Sequence, residues 1–289
     1  NIAHNLKFVQ DKMDQQGIRF AFTIAPNKNS LYDEHMPYYY RVKISDTNNR
    51  KKVEPLLEQM GISYIDLYEP FEQQSEVLYR AQDSHWNMKG AVLAYHTILE
   101  ELGKTHNDFS EVPVSRTRTE KGDLAVSLYS VAAEPEWDYR YDYESQFSYV
   151  TDTENWEDVW IQTAADGKSG NLLVFRDSFG NTLSPLLAEE YGQAAFSKDT
   201  VYHLDSRIQL CQPDTVLFEI VERNLARFGQ YARTDYSSGP PIMEAPYAAD
   251  VDVYSAQILD QERAGASAEA YLSDMRPDYL CISGQIEEE

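Results

Sequence analysis

Apolar positions recur at helical spacing over residues 5–16, and Gly17 ends the run. A near-continuous apolar block follows, Ile18–Ala25, closed by Pro26, Asn27 and Lys28, a composition suited to a turn. The same order then repeats: residues 50–60 predict a second helix stopped by Gly61, and Ser63–Leu67 predicts a short strand. Repeated helix–glycine–strand units predict a parallel sheet with crossover helices. Asn87–Leu102 is the clearest amphipathic helix, with Met88, Val92, Tyr95, His96, Leu99 and Leu102 at three- and four-residue steps before Gly103. His96 lies on that apolar stripe and is expected to be a packed core residue.

Residues 104–170 change character, becoming rich in Asp, Glu, Ser, Tyr and Trp with few aliphatic runs. Tyr139, Tyr141 and Tyr143 alternate with charged residues, which predicts a β-hairpin with one aromatic face in an insertion lying over the sheet. Packing of those tyrosines on the core is the favoured use. A platform for sugar rings is the alternative, because flat rings stack on apolar sugar faces. Core periodicity resumes with a buried strand at Asn171–Phe175 and a helix at Thr182–Tyr191. That helix points Leu183, Leu186 and Leu187 inward and places Pro185 in its first turn, where a missing N–H costs least. Thr215–Val221 is another near-continuous apolar strand, as expected where both sheet faces are covered. The pattern predicts one α/β domain over residues 1–230, including the β-rich insertion, and a Pro-, Ala- and Asp-rich C-terminal appendage over 231–289.

Composition adds exclusions. The 289 residues, 42% of them hydrophobic, suffice for one large core. No window approaches ~18 consecutive apolar residues, so no membrane-spanning helix is expected. The first residue is Asn1, which is read as a chain from which a targeting segment has been removed. With 25 Lys+Arg against 48 Asp+Glu, a formal net charge of −23, nucleic acid is excluded as a partner, because phosphate binding relies on clustered cations. Cys211 and Cys281 show no metal-binding spacing, and a disulfide or two thiols both fit them.

The candidate chemistry lies in two short segments. Arg80–Gly90 (RAQDSHWNMKG) holds Asp83, His85 and Trp86 just ahead of the amphipathic helix, and Phe175–Asn181 (FRDSFGN) holds Ser178 between a buried strand and a helix. A serine so placed sits at the C-terminal edge of a parallel sheet, where open α/β folds put their sites. Its hydroxyl lies near free N–H groups of the next helix, which can stabilise an oxyanion. A neutral imidazole can take the serine proton, and a carboxylate on the other ring nitrogen fixes the tautomer and stabilises the imidazolium. Asp83 and His85, two apart on one loop, can supply both groups, with Trp86 shielding them from water. Two other uses were weighed: a helix-capping role for Ser178 and shared metal ligation by Asp83 and His85. No third ligand stands at a telling spacing, and no metal is expected.

These segments resemble the SGNH hydrolases. Asp83–Ala94 (DSHWNMKGAVLA) looks like the family's acid/base block, with Asp-x-His one residue shorter than the usual Asp-x-x-His. Arg176-Asp177-Ser178-Phe179-Gly180 looks like its nucleophile block, with arginine where glycine is usual. The acid/base block precedes the serine block, the inverse of the common order. That permuted order is similar to the polysaccharide O-acetylation proteins of the AlgX and AlgJ type and their Gram-positive DHHW relatives. The resemblance spans roughly residues 5–230. It implies a flavodoxin-like, three-layer α/β sandwich, circularly permuted, with Ser178, His85 and Asp83 catalytic. It also implies acetyl transfer to, or hydrolysis from, an exported polysaccharide outside the cytoplasm. A membrane-bound O-acyltransferase would be the acetyl donor, with no metal or nucleotide cofactor. Pro213–Leu225 resembles the strand whose end normally carries an oxyanion asparagine. Asn224 and Arg223 stand there, and with Asn181 and Trp86 they are the oxyanion and substrate candidates. The rival from another class is a non-catalytic polysaccharide-binding or assembly protein on the same scaffold.

Overall fold

The computed structural model describes residues 2–37, 47–153, 155–199 and 203–231, together with the two-residue strands Ala270–Tyr271 and Cys281–Ile282. The chain opens with α1 (Ile2–Gln15), β1 (Arg19–Ala25), the short α2 (Lys28–Leu31), α3 (Asn49–Gln59), β2 (Tyr64–Ile65), α4 (Tyr68–Glu72) and α5 (Met88–Glu101). A long excursion follows: β3 (Val114–Lys121), α6 (Asp123–Leu128), β4 (Pro135–Tyr141), β5 (Phe147–Tyr149) and β6 (Trp160–Ala165). β7 (Asn171–Phe175), α7 (Gly180–Ala188), β8 (Gln193–Ser197), α8 (Leu204–Cys211), β9 (Thr215–Val221) and α9 (Ala226–Tyr231) complete the core, and β10 (Ala270–Tyr271) pairs with β11 (Cys281–Ile282). The predicted appendage otherwise falls outside the described residues.

The main sheet has seven strands in the order β2-β1-β9-β7-β8-β6-β5, parallel from β2 through β8 and antiparallel at the β6–β5 edge. Period-two alternation divides the central strands between two helical layers. Phe20, Phe22 and Ile24 of β1, with Phe175 of β7 and Phe218 of β9, bury against α1, α3, α8 and α9. Ala21, Ala25, Val174, Leu217 and Val221 bury on the other side, against α5 and α7. Every residue of β9 is buried, as a strand covered on both faces must be. The fold is therefore the predicted three-layer, mostly parallel α/β sandwich.

Two expectations need correction. Residues 104–170 do not lie over the sheet as one insertion. β3 and β4 form a separate hairpin, but β5 and β6 extend the main sheet. Only Ile161, Thr163 and Ala165 of β6 are buried, so the strand lacks the apolar run that marks β7 and β9. Second, α7 begins at Gly180, so Pro185 is not in the first turn but inside the helix, where it removes one i→i−4 hydrogen bond. The hairpin tyrosines pack as favoured: Tyr141 and Tyr143 meet Phe109 edge-on at 5.5 and 5.1 Å. His96 is half-buried rather than enclosed, and its Nδ1 shares a hydrogen bond of 3.0 Å with His106 Nε2.

Candidate active site

Ser178 sits in the turn between β7 and α7, at the C-terminal edge of the parallel strands. Asp177 shapes that turn. Its Oδ1 accepts the Phe179 N–H at 3.0 Å, and its Oδ2 accepts the Val221 N–H at 3.0 Å and Asn224 Nδ2 at 2.9 Å. One carboxylate thus ties the turn to the end of β9, as an Asx-type turn former can. Arg176 is buried behind it. Its guanidinium donates to Asn181 Oδ1 at 2.5 Å and to the Trp156 carbonyl at 2.8 Å. The arginine side chain lies across the start of α7, where a Cβ on residue 180 would come 2.5 Å from Arg176 Cδ, so Gly180 makes room for it. Burial brings the Arg176 guanidinium down to about 10, against the carboxylates of Glu219, Glu157 and Asp177.

The second segment is a closed loop. Tyr79 and Trp86 form an antiparallel bridge, and the Asn87 N–H donates to the Leu78 carbonyl at 2.8 Å. Asn87 also caps α5, its Oδ1 accepting the Gly90 N–H at 3.0 Å. Asp83 and His85 project from the loop between these anchors. His85 Nδ1 lies 2.7 Å from Asp83 Oδ1, and His85 Nε2 lies 2.8 Å from Ser178 Oγ. Residues 93 positions apart are thereby joined in one hydrogen-bonded chain of hydroxyl, imidazole and carboxylate. Such a chain can pass the hydroxyl proton to Nε2 while the carboxylate steadies the imidazolium.

Asp83 is buried, which by itself would raise its pKa. The His85 ring and backbone N–H, the Arg80 guanidinium at 2.6 Å and the Asp123 N–H outweigh that, and hold the carboxyl well below the usual range. It stays ionised. Glu219, beneath the nucleophile turn, goes the other way. It is fully enclosed, its Oε1 has no hydrogen-bond partner, and burial together with the Asp177 charge raises its carboxyl well above normal.

The remaining sequence candidates divide. Trp86 lies under the site, 1% exposed, with its ring 5.0 Å from Phe179; it is a floor and not a surface for ligand. Asn224 has its amide on Asp177, and Asn181 has its side chain between Arg176 and Glu157. Arg223 is exposed at the rim, 5.2 Å over the Phe179 ring, with long bonds of 3.5 Å to Asn27 and 3.4 Å to Ser84. Of the backbone donors around the serine, the Phe179, Gly180 and Asn181 N–H groups are engaged within the turn, whereas the Ser178 N–H has no hydrogen-bond partner among the described residues.

Sequence reasoning missed the residues that hold the loop. Lys28 Nζ donates to the carbonyls of Arg80, Ala81 and Asp83 at 2.6, 3.0 and 2.9 Å. Glu136 Oε2 accepts the Gln82 N–H at 2.8 Å, and Asp138 Oδ1 accepts the Met88 N–H at 2.9 Å. Asp123 accepts the Ser84 N–H and hydroxyl at 2.7 and 2.6 Å. Among the described residues, Asp83, His85 and Asp123 alone present potential metal-ligand atoms within 4.8 Å of one another. Those atoms are already joined to N–H, O–H and guanidinium donors, which is the chemistry of a proton relay and not of an open chelate. Cys211 is a free thiol, pushed up to about 11 by burial, and the Cys281 side chain lies outside the described residues.

Comparisons with known proteins bear on the fold and the family. No curated protein matches the chain. Among solved structures, Bacillus cereus PatB1 superimposes with a TM-score of 0.62 at 17% identity, covering 78% of this chain and 90% of that one. A second PatB1 structure carries a sulfonyl adduct. A DHHW family protein from Eubacterium siraeum gives 0.61 at 15% identity, covering 81% and 88%. The O-acetyltransferase domain of Pseudomonas putida AlgJ gives 0.51 at 16%, covering 84% and 87%. These likenesses show the fold. The family model "SGNH hydrolase-like domain, acetyltransferase AlgX" matches residues 1–165, which include Asp83 and His85 and stop short of Ser178. With more than half its length matched, the chain belongs to the AlgX family of SGNH hydrolase-like acetyltransferase domains.

Proposed function

We propose that this protein transfers acetyl groups between a donor and a polysaccharide hydroxyl through an acetyl-Ser178 intermediate. The observation that carries the reading is the 2.8 Å and 2.7 Å hydrogen-bond chain from Ser178 through His85 to Asp83. Ser178 Oγ attacks the acetyl carbonyl as its proton passes to His85 Nε2. The Ser178 N–H donates to the developing oxyanion, and the Arg223 guanidinium at the rim is the candidate second donor. His85 then protonates the leaving oxygen. In the second half-reaction a sugar hydroxyl gives its proton to His85, attacks the acetyl carbon and releases Ser178.

Water in place of the sugar makes the same machinery an esterase, so the balance between transfer and hydrolysis rests on water exclusion. The intact relay favours catalysis over a purely binding scaffold. A location outside the cytoplasm, a polysaccharide acceptor and a membrane-bound O-acyltransferase donor belong to the same proposal. Among the described residues no helix is long and apolar enough to cross a membrane.

Hydrolysis of an activated acetyl ester tests the reading. Wild type turns over, and Ser178→Ala and His85→Ala fall to background, a loss of about 10³-fold or more. Wild-type inactivity together with no reaction of Ser178 toward a sulfonyl fluoride would sink it.

A further inference from the structure

The hairpin β3–α6–β4 places a second carboxylate against the imidazole. Asp123 stands at the start of α6, and its Oδ2 lies 3.6 Å from His85 Nδ1. The carboxylate does not float there. Its two oxygens hold the Ser84 N–H and hydroxyl, and its own N–H donates to Asp83 Oδ2 at 3.1 Å. Ser84 in turn links it to Arg223, whose Nη2 reaches the same hydroxyl at 3.4 Å. The hairpin reaches this loop at further points: the Ala125 N–H donates to the Gln82 carbonyl, and Glu136 takes the Gln82 N–H.

The charges around His85 make Asp123 more than a tether. Asp83 faces His85 through Oδ1, but its Oδ2 is paired with Arg80 at 2.6 Å, so much of its charge is offset. Lys28 has its ammonium on three backbone carbonyls of the loop, within electrostatic reach of Glu136, Asp83 and Asp123, and Arg223 contributes a third cation at the rim. Against these, Glu136 and Asp138 face the backbone of the loop and not the ring. Asp123 has no lysine or arginine within ion-pair distance among the described residues, and its Oδ2 stands 3.6 Å from the ring nitrogen. A carboxylate within about 4–6 Å favours the protonated imidazole, the form that accumulates as Ser178 attacks.

We propose that Asp123 is a positioning residue for His85, fixing the Ser84–His85 backbone and supplying a second negative charge that stabilises the imidazolium. The inference rests on the acyl-transfer reading above. It also gives the hairpin a purpose: it delivers one charged group to the relay from 38 positions beyond His85 in the sequence, a separation no short motif would show.

The test compares Asp123→Asn, Asp123→Glu and Glu136→Gln by the pH dependence of kcat/KM on a small acetyl ester, with Tm alongside. Asparagine keeps an oxygen for the Ser84 N–H and removes the charge. We expect Asp123→Asn to hold its Tm and KM, to lose about 3- to 10-fold in kcat and to move the acid limb down by about half a pH unit. Glutamate restores part of that shift. Glu136→Gln likewise keeps an oxygen for a loop N–H and removes a charge, but that charge does not face the ring, so it leaves the acid limb in place. The inference is overturned if the Asp123→Asn profile superimposes on wild type while wild type is active, or if Glu136→Gln moves the limb equally. An inactive wild type whose Ser178 also resists a sulfonyl fluoride would instead remove the catalytic reading, and the inference with it.

Discussion

The nucleophile turn, Arg176–Asn181, and the acid/base loop, Arg80–Asn87, meet at one hydrogen bond but are held by different physics. The turn grows out of β7, in the middle of the sheet, and runs directly into α7; Phe179 and Gly180 are buried, and Asp177 satisfies nearby backbone N–H groups. Packing places the serine. The loop has Trp86 and Tyr79 sunk beneath it as its aromatic anchors, and much of its backbone is held by charged side chains from elsewhere: Lys28, Asp123, Glu136 and Asp138. Buried apolar surface is non-directional and tolerant, whereas charge-assisted hydrogen bonds are directional and fail when one partner is lost. The two halves of the site should therefore respond differently to substitution and to pH.

The carboxylates embedded in them show the contrast most clearly. Asp83 is held ionised by donors, while Glu219 under the turn is driven toward its protonated form by burial and the Asp177 charge. The largest effect is expected at Asp83. Asp83→Asn removes the negative charge that fixes the His85 tautomer and stabilises its imidazolium, and should cut kcat by about 10²- to 10⁴-fold. It should also destabilise the fold by roughly 1–3 kcal/mol at neutral pH, read as a fall in Tm. Because the folded-state carboxyl lies below its unfolded value, that stability is present above the ordinary aspartate range and is lost as pH falls toward the folded value. The gap in Tm between wild type and Asp83→Asn should accordingly narrow below about pH 4. A gap that is constant with pH would erase the distinction.

The smallest effect, of opposite sign, is expected at Glu219. Its folded carboxyl lies above the unfolded value, so the unfolded chain ionises first and stability is lost as pH rises from the ordinary glutamate range toward the folded value. Glu219→Gln keeps the shape and an oxygen for the Asp177 N–H without the ionisable group. Thermal melts at pH 5 and pH 8 should show it near wild type at the lower pH and slightly more stable at the higher. A Glu219→Gln protein less stable at pH 8 than at pH 5, relative to wild type, would mean that the turn also depends on a charge.

The same division explains what could be read from sequence. β1, β7, β9 and α5 announce themselves because burial on one or two faces leaves an apolar run or stripe, and residues 171–175, 215–221 and 88–101 carry those patterns. Ser178, His85 and Asp83 were legible because each sits at a local junction, strand to helix or loop to helix, with its chemistry in adjacent letters. β5 and β6 were not, since β6 buries only alternate positions and Ile161, Thr163 and Ala165 make a faint signal. Lys28, Asp123 and Glu136 were invisible for a stronger reason. They act on the loop across sequence separations of 39 to 55 residues, through one to three hydrogen bonds each that leave no periodic trace. Pro185 was misplaced because Gly180, not Thr182, opens α7 once Arg176 occupies the space beside it.

The central claim is that Ser178 carries the acetyl group. The direct measurement is mass spectrometry of the protein quenched in acid after mixing with an activated acetyl ester. The account predicts one added acetyl group on the peptide containing Ser178, absent from Ser178→Ala and lost again on adding a hydroxyl acceptor. Turnover of the ester with no acetylated Ser178 at any quench time, and unchanged in Ser178→Ala, would contradict it.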